Sequence, residues 1–304
     1  MSDVNAARSE RPFASVIVPV YNDAARLTTC LRALGRQTYP ADRYEVIVVD
    51  NGSDASVAPA VAAVLRHARV VSEPRPGSYA ARNRGLAAAQ GEVIALTDSD
   101  CIPAVEWLEE GVRALLQTPN CGLVGGRIDI FFGDQAHPTP VEVFSAMTAR
   151  RQEQFISIDH FCETANLFTS RAVLEKVGSF EPALRARGDV VFGQRVFAAG
   201  YRQLYAARAV VTHPAPRSLG ELRRRTARLV GGKHDIRRLA SAPAVVTRTA
   251  STDVRNVPRL AARIWSSTEI GRGDRWRVLG ILAFVQGVAL CERFRLLAGG
   301  TSRR

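Results

Sequence analysis

Four short apolar runs, each followed by a polar turn, limit what this chain can fold into more than any other feature. They are "SVIVPV" (Ser15–Val20), "EVIVV" (Glu45–Val49), "ARVVSEP" (Ala68–Pro74) and "EVIAL" (Glu92–Leu96). Runs this short and this rich in β-branched residues suit strands buried on both faces. Amphipathic segments separate them. Leu27, Leu31 and Leu34 fall three or four apart, predicting a helix that starts after Asn22 or Asp23 as its N-cap. Val57, Val61, Val64 and Leu65 mark a second helix, and "GSYAARNRGLAAAQG" reads as a third, closed by Gly91. Four strand–helix alternations in succession predict an α/β fold: a mostly parallel central sheet with helices on both faces.

Sheets of this kind bind ligands beyond the carboxyl ends of their strands. The residues placed there are Pro19, Tyr21 and Asn22, then Asp50, Asn51 and Ser53, then Glu73 and Arg75, and finally Asp98 and Asp100. No GxGxxG follows the first strand and no GxxxxGK[ST] occurs, which argues against a dinucleotide site or a P-loop. The last pair, in "ALTDSDCIP", ends a hydrophobic run on two like charges. Unpaired, such carboxylates raise each other's pKa. A hard divalent cation, Mn²⁺ or Mg²⁺, removes that penalty and keeps sites for phosphate oxygens. The rival reading is that the pair caps a helix beginning near Pro103.

The alternation stops past Trp107. "CGLVGGRIDIFF" (Cys121–Phe132) reads as a strand; a helix from Asp189 to Ala199 stops at Gly200, and a strand then ends near His213. The composition, 46% hydrophobic and 23% charged over 304 residues, is that of a globular chain able to bury a core. The first eleven residues are polar and lack the apolar segment of a signal peptide. Five cysteines without a CxxC pair argue against a disulfide framework or zinc ribbon and for a reducing, cytoplasmic setting. Cys101, beside the acidic pair, reads as a small, semi-buried side chain.

In their order and spacing, "SVIVPVYNDAARLTTCLRALGRQTYP", "YEVIVVDNGSDAS", "GSYAARNRGLAAAQGEVIALTDSDCIP" and "LEKVGSFEPAL…GDVVFGQRVFAAGYRQLYAARAVVTHP" resemble family 2 glycosyltransferases of the GT-A fold. The resemblance runs from Ala14 to Pro214. It implies that Pro19 and Tyr21 cradle the nucleobase, that Asp50 contacts uracil or ribose, and that Arg82 contacts the nucleotide. It further implies that Asp98 lies near the ribose, that Asp100 holds the metal, and that His213 completes the metal shell. The family's catalytic "ED" pair is "GD" here, which makes Asp189 the base and Gly188 a departure that bears on acceptor positioning. Asn51 likewise stands where a second acidic residue is common. Glu163 and Asn166 fall on the implied floor of the acceptor pocket, although Asn166 could equally hold a turn. The QxxRW box of processive synthases is absent, which implies transfer of a single sugar.

The implied activity is inverting, metal-dependent transfer from a nucleotide-sugar, a UDP-sugar, to an acceptor hydroxyl on a glycolipid, lipid-linked sugar or polysaccharide precursor. Two alternatives stay open: a sugar-phosphate nucleotidyltransferase, and a non-catalytic module that binds nucleotide-sugar or membrane. The domain reading is a loose N-terminus (1–13), a catalytic domain (14–216) with donor (14–102) and acceptor (103–216) halves, and a helical, basic tail (217–304). The tail holds 19 Lys+Arg against 6 Asp+Glu, whereas residues 1–216 hold 22 against 23. "LGELRRRTARLVGGKHDIRRLA" reads as a basic amphipathic helix able to lie on an anionic membrane. "VLGILAFVQGVAL" (Val278–Leu290) could seat beside it, being too short for the ~20 residues a span needs. These features place the protein in the cytoplasm or on the inner face of the membrane. Nucleic acid is disfavoured, because aromatics do not interleave with the arginines.

Overall fold

β1 (Ala14–Val20) is buried along its whole length between two parallel partners, β2 (Tyr44–Asp50) and β4 (Val93–Thr97). The structure is a computed structural model and describes residues 11–149, 152–239, 253–268 and 270–303. β3 (Arg69–Ser72) continues the parallel set beyond β2. The connections are α1 (Ala24–Leu34), α2 (Ala58–Val64) and α3 (Ser78–Ala88). Successive strand residues point to opposite faces. Val16 and Val18 accordingly join one core cluster with Leu27, Leu31 and Trp107, while Ile17 joins another with Ile47, Leu96 and Phe192. Asp23 caps α1 as expected, its side chain accepting from Arg26 N. Each of the fully buried Leu27, Leu31 and Leu34 contributes about 2 kcal/mol of apolar burial.

Gly91 does not close α3, which ends at Ala88. A Cβ on Gly91 would lie 2.5 Å from Ser15 N, so this glycine lets the chain pass against the start of β1. The joint is hydrogen-bonded as well: Ser15 Oγ donates to Glu45 Oε1 (2.7 Å) and accepts from Gly91 N (2.8 Å).

Beyond β4 the sheet changes character. Among the described residues its eight strands run in the order β3-β2-β1-β4-β7-β6-β8-β5. β7 (Asn166–Ser170) inserts antiparallel between β4 and β6 (Cys121–Phe131); β8 (Arg202–Pro214) pairs parallel with β6. β5 is the dipeptide Ile102–Pro103, antiparallel on β8. The helix expected near Pro103 therefore does not start there: α4 runs from Trp107 to Gln117, and the acidic pair caps nothing. α5 (Pro140–Thr148) follows β6, α6 (Arg171–Val177) follows β7, and α7 (Gly188–Ala198) precedes β8.

The tail forms α8 (Leu219–Ile236), α9 (Val257–Ser266) and α10 (Arg272–Leu297). Leu222, Leu260, Ile264, Val278, Leu282 and Val285 pack against Val141 and Phe144 of α5, and Ile236 joins a core cluster of the sheet. The apolar sides of α8 and of the Val278–Leu290 run thus face inward. No described helix is long and apolar enough to cross a membrane. At the other terminus, residues 1–10 lie outside the described residues, but 11–13 are held rather than loose. Arg11 pairs with Glu109 at 2.7 Å, Tyr39 Oη donates to Pro12 O at 2.5 Å, and Glu92 N donates to Phe13 O at 2.9 Å.

Candidate active site

The parallel strands bring the expected donor residues to one edge. Pro19 is buried in β1, register-paired with Val49, and Tyr21 follows it, 44% exposed. Asp50 ends β2, where its Oδ1 accepts from Ser53 N at 2.9 Å. The turn after β1 places Asn22 at a φ of +51°, a left-handed value that asparagine tolerates better than most residues. Asn22 then accepts Asp54 N (2.8 Å) and donates to Asp54 Oδ2 (2.9 Å), which ties the first two post-strand loops together. Asn51 is buried and braces the third loop. Its amide donates to Glu73 O (2.9 Å) and Arg75 O (2.7 Å) and accepts from Gly77 N (2.9 Å). An aspartate there could accept but not donate, so the asparagine has a structural cause.

Asp98 and Asp100 stand in the turn after β4, where Cys101 N donates to Asp98 O at 3.1 Å. Arg82 of α3, 3% exposed, forms an ion pair with Asp98 through Nη2 and Oδ1. Its Nε has no hydrogen-bond partner among the described residues. Asp100 faces β8 instead: His213 Nε2 lies 3.6 Å from its Oδ1, and His213 Nδ1 sits 2.9 Å from Pro214 O. A carbonyl accepting from Nδ1–H leaves a lone pair at Nε2 whenever the imidazole is neutral, the tautomer that ligates metals. Burial, with Asp98 adding to it, pushes the Asp100 carboxyl up, while His213 opposes the shift. A cation between Asp100 and His213 would relieve that tension. Cys101 Sγ lies within the same 4.8 Å cluster, but the thiol is fully buried and held well above its ordinary range. An oxygen-and-imidazole pair suits Mn²⁺ or Mg²⁺ better than a protonated thiol does.

Asp189 lies inside the first turn of α7 and does not cap it. The cap is Arg187, at a φ of +67°. Two donors converge on Asp189 Oδ1, Tyr79 Oη at 3.1 Å and Val190 N at 2.9 Å. Burial raises the carboxyl above its usual range, against the pull of Arg187, Tyr79, Val190 N and Arg82. Glu163 is half-buried and likewise pushed up by burial, with Arg225 of α8 opposing and the charges of Asp189 and Asp98 adding to the shift. These carboxylates therefore share one electrostatic environment.

Asn166 departs from the acceptor-floor expectation. It is fully buried, and its Oδ1 accepts from Trp107 Nε1 (2.8 Å). Its Nδ2 donates to Arg127 O (2.8 Å) and Ala209 O (2.9 Å). With both ends of the amide engaged, Asn166 clamps β7, β6, β8 and α4 and offers nothing to a sugar. Three residues at the site escaped sequence reasoning. Tyr79 was hidden inside an alanine-rich helix, Arg187 ahead of a helix start, and Arg225 in an arginine-rich stretch whose pattern does not single it out.

The chain has counterparts among known proteins. The family model described as "Glycosyl transferase family 2" matches residues 15–178. Glycosyltransferase AglE of Haloferax volcanii is 37% identical over 229 residues, 74% of this chain and 74% of that protein. Pre-mycofactocin glycosyltransferase of Mycobacterium tuberculosis is 29% identical over 66% of this chain, which spans 42% of that relative. Among solved structures, the mannosyltransferase PcManGT of Pyrobaculum calidifontis, in complex with GDP-Man and Mn²⁺, superposes with a TM-score of 0.64 at 23% identity. The match covers 95% of this chain and 88% of that one. GalNAc-T7 with UDP, GalNAc and Mn²⁺ gives a TM-score of 0.54 at 15% identity, over 71% and 47%. A family model spanning more than half of the sequence, a relative of near-equal extent and a shared sheet architecture lead to one conclusion: the chain belongs to glycosyltransferase family 2 and is a glycosyltransferase of the GT-A fold.

Proposed function

We propose that this glycosyltransferase moves one sugar from a UDP-sugar to an acceptor hydroxyl by a metal-dependent single displacement that inverts the anomeric carbon. The observation that carries the reading is His213 Nε2 set 3.6 Å from Asp100 Oδ1, beside an Asp98 paired with Arg82. That division leaves Asp100 and His213 to hold the cation and Asp98 to face the ribose. Pro19, Tyr21 and Asp50 cradle the base and ribose, and Arg82, through its pairing with Asp98, adds positive charge at the nucleotide edge. Mn²⁺ or Mg²⁺ bound there would act as a Lewis acid on the diphosphate oxygens as negative charge grows on the leaving group. Asp189 accepts the acceptor's proton through Oδ2, the oxygen with no hydrogen-bond partner among the described residues. A burial-raised pKa makes it a better base near neutral pH. Glu163 contacts the acceptor; Asn166 does not.

Hydrolysis or transfer with a nucleotide-sugar panel and Mn²⁺ tests this reading. Asp100→Ala should lower turnover at least ~100-fold, the scale of removing one stabiliser of developing charge; unchanged turnover would remove the metal assignment. Asp189→Asn should keep UDP binding and lose transfer. Thermal stabilisation by UDP-sugars over GDP-sugars, in the presence of Mn²⁺, decides the nucleobase.

The proposed acceptor is lipid-linked, met on the cytoplasmic face of an anionic membrane. Support comes from the joined ends of α9 and α10, where Trp265 and Trp276 are 52% and 67% exposed with rings 5.1 Å apart. Arg259, Arg263, Arg272 and Arg277 are exposed on the same two helices. Aromatic rings with flanking cations suit the headgroup region. Vesicles containing phosphatidylserine should co-sediment the wild type and release a Trp265→Ser, Trp276→Ser variant.

A further inference from the structure

Gly188 has no side chain, and Tyr79 fills the space. A Cβ built on Gly188 would stand 2.8 Å from one ring carbon of Tyr79 and 2.9 Å from two others. The ring reaches that position from α3, a separate element, and is 5% exposed. It packs against Phe180, at 5.5 Å between centroids, and against the Arg82 guanidinium, 5.5 Å from its centre. With the ring locked, the hydroxyl has a fixed address, and the partner there is Asp189 Oδ1 at 3.1 Å. Burial keeps the phenol protonated, so Tyr79 is the donor.

We propose that Tyr79 is the positioning residue of the catalytic carboxylate, standing in the room that Gly188 leaves and orienting Asp189 through its hydroxyl. The inference rests on the reading of Asp189 as the base and adds to it a second group that touches no substrate. The geometry explains why two donors on one oxygen matter. Tyr79 Oη and Val190 N both hold Oδ1, which fixes the rotation of the carboxylate and presents Oδ2 to the proton it must take. Val190 N belongs to the next residue and cannot choose the rotamer alone. Tyr79 supplies an anchor from outside α7.

The arrangement also sets the strength of the base. The groups whose charge acts on Asp189 are Arg187 from its own segment, Tyr79 and Arg82 from α3, and Cys162 and Glu163 from the segment before β7. Among these, the Tyr79 hydroxyl donates directly to the carboxylate and so favours its charged form. Removing the hydroxyl must therefore raise the Asp189 pKa. The base is then protonated over a wider pH range, and the acid limb of the rate profile moves to higher pH.

Tyr79→Phe keeps the ring and removes only the hydroxyl. Expected outcomes, measured on hydrolysis of UDP-glucose or another panel nucleotide-sugar with Mn²⁺, are a roughly tenfold or greater fall in kcat with little change in KM for the donor. The acid limb should shift upward by about half a unit to one unit. Gly188→Ala pushes the same ring and should move the limb in the same direction. The double variant should add little to either single change, because both break one contact. A readout independent of turnover is the carboxyl ¹³C titration of the intact protein, with the Asp189 resonance identified by its loss in Asp189→Asn. Tyr79→Phe should raise that titration point. An unmoved titration and an unmoved acid limb, in a Tyr79→Phe protein with native melting behaviour, would overturn the positioning role. If Asp189→Asn itself retained full turnover, the base reading would fail instead, so the two failures are separable.

Discussion

The two halves of the sheet reach order by different means. In the donor half, β3-β2-β1-β4 are all parallel; β1, β2 and β4 are apolar runs buried on both faces, and β3 is a short, largely exposed edge strand. In the acceptor half, strands of both directions meet, β6 and β8 slip register twice, and β5 is only two residues long. There a buried amide, that of Asn166, ties the strands together by bonding to Trp107, Arg127 and Ala209. A repetitive hydrophobic pattern can specify parallel neighbours without help. A mixed sheet whose strands come from distant parts of the chain needs specific polar contacts to fix register.

The largest effect is expected at Asn166. Asn166→Ala leaves an indole N–H and two carbonyls buried without partners. It should cost about 3 kcal/mol in urea unfolding, since each such group costs about 1–3 kcal/mol before relaxation. A loss under 1 kcal/mol would show that the acceptor half does not depend on its polar clamp. The donor half should be most sensitive to steric intrusion instead. Gly91→Ala drives a Cβ to 2.5 Å from Ser15 N, where backbone must move, and is expected to cost about 1–3 kcal/mol by the same measurement. A smaller effect is expected at Asn51→Asp, about 1–2 kcal/mol, because it forfeits two donated bonds at a loop rather than in the sheet. Its sharper signature should be weaker UDP binding by calorimetry, since the braced loop borders the nucleotide edge.

The smallest expected change has the opposite sign. Asp189 has a folded-state pKa above its unfolded value, so the folded protein holds the proton more tightly. Its effect on stability is then most favourable at low pH and declines as pH rises through the folded value. Asp189→Asn removes the buried charge and should raise the melting temperature at neutral pH, by about 2–4 °C for each kcal/mol relieved. The gain should vanish toward acid pH, where wild-type Asp189 is protonated. A lower melting temperature at pH 7 would show that Arg187 and Tyr79 overcompensate the burial.

The same contrast explains which parts of the molecule were legible in the sequence. β1, β2, β3 and β4 sit where their β-branched runs placed them, and Asp23 caps α1 as its position next to the leucine periodicity indicated. β5 was not legible, because Pro103 after an acidic turn has the same local signature as a helix start. The insertion of β7 between β4 and β6 was invisible as well, since antiparallel pairing over about 70 residues leaves no periodic trace. At the site, Asp98 and Asp100 drew attention by residue type at a strand end, whereas His213 entered only through the family resemblance. Tyr79 did not, because an aromatic residue in an alanine-rich helix is ordinary core until its hydroxyl is seen to meet a carboxylate.

The five thiols carry a practical consequence. Cys30, Cys101 and Cys162 are wholly enclosed, Cys121 is half-buried with its thiol pushed up by burial, and Cys291 on α10 is exposed. A maleimide dye added to the native protein should therefore attach at Cys291 alone. That position lines a cavity of about 430 Å³ between α8 and α10 with Arg223 and Phe284. An unmutated protein thus comes with one optical handle at the seam between its basic tail helices, ready to report whatever disturbs their packing.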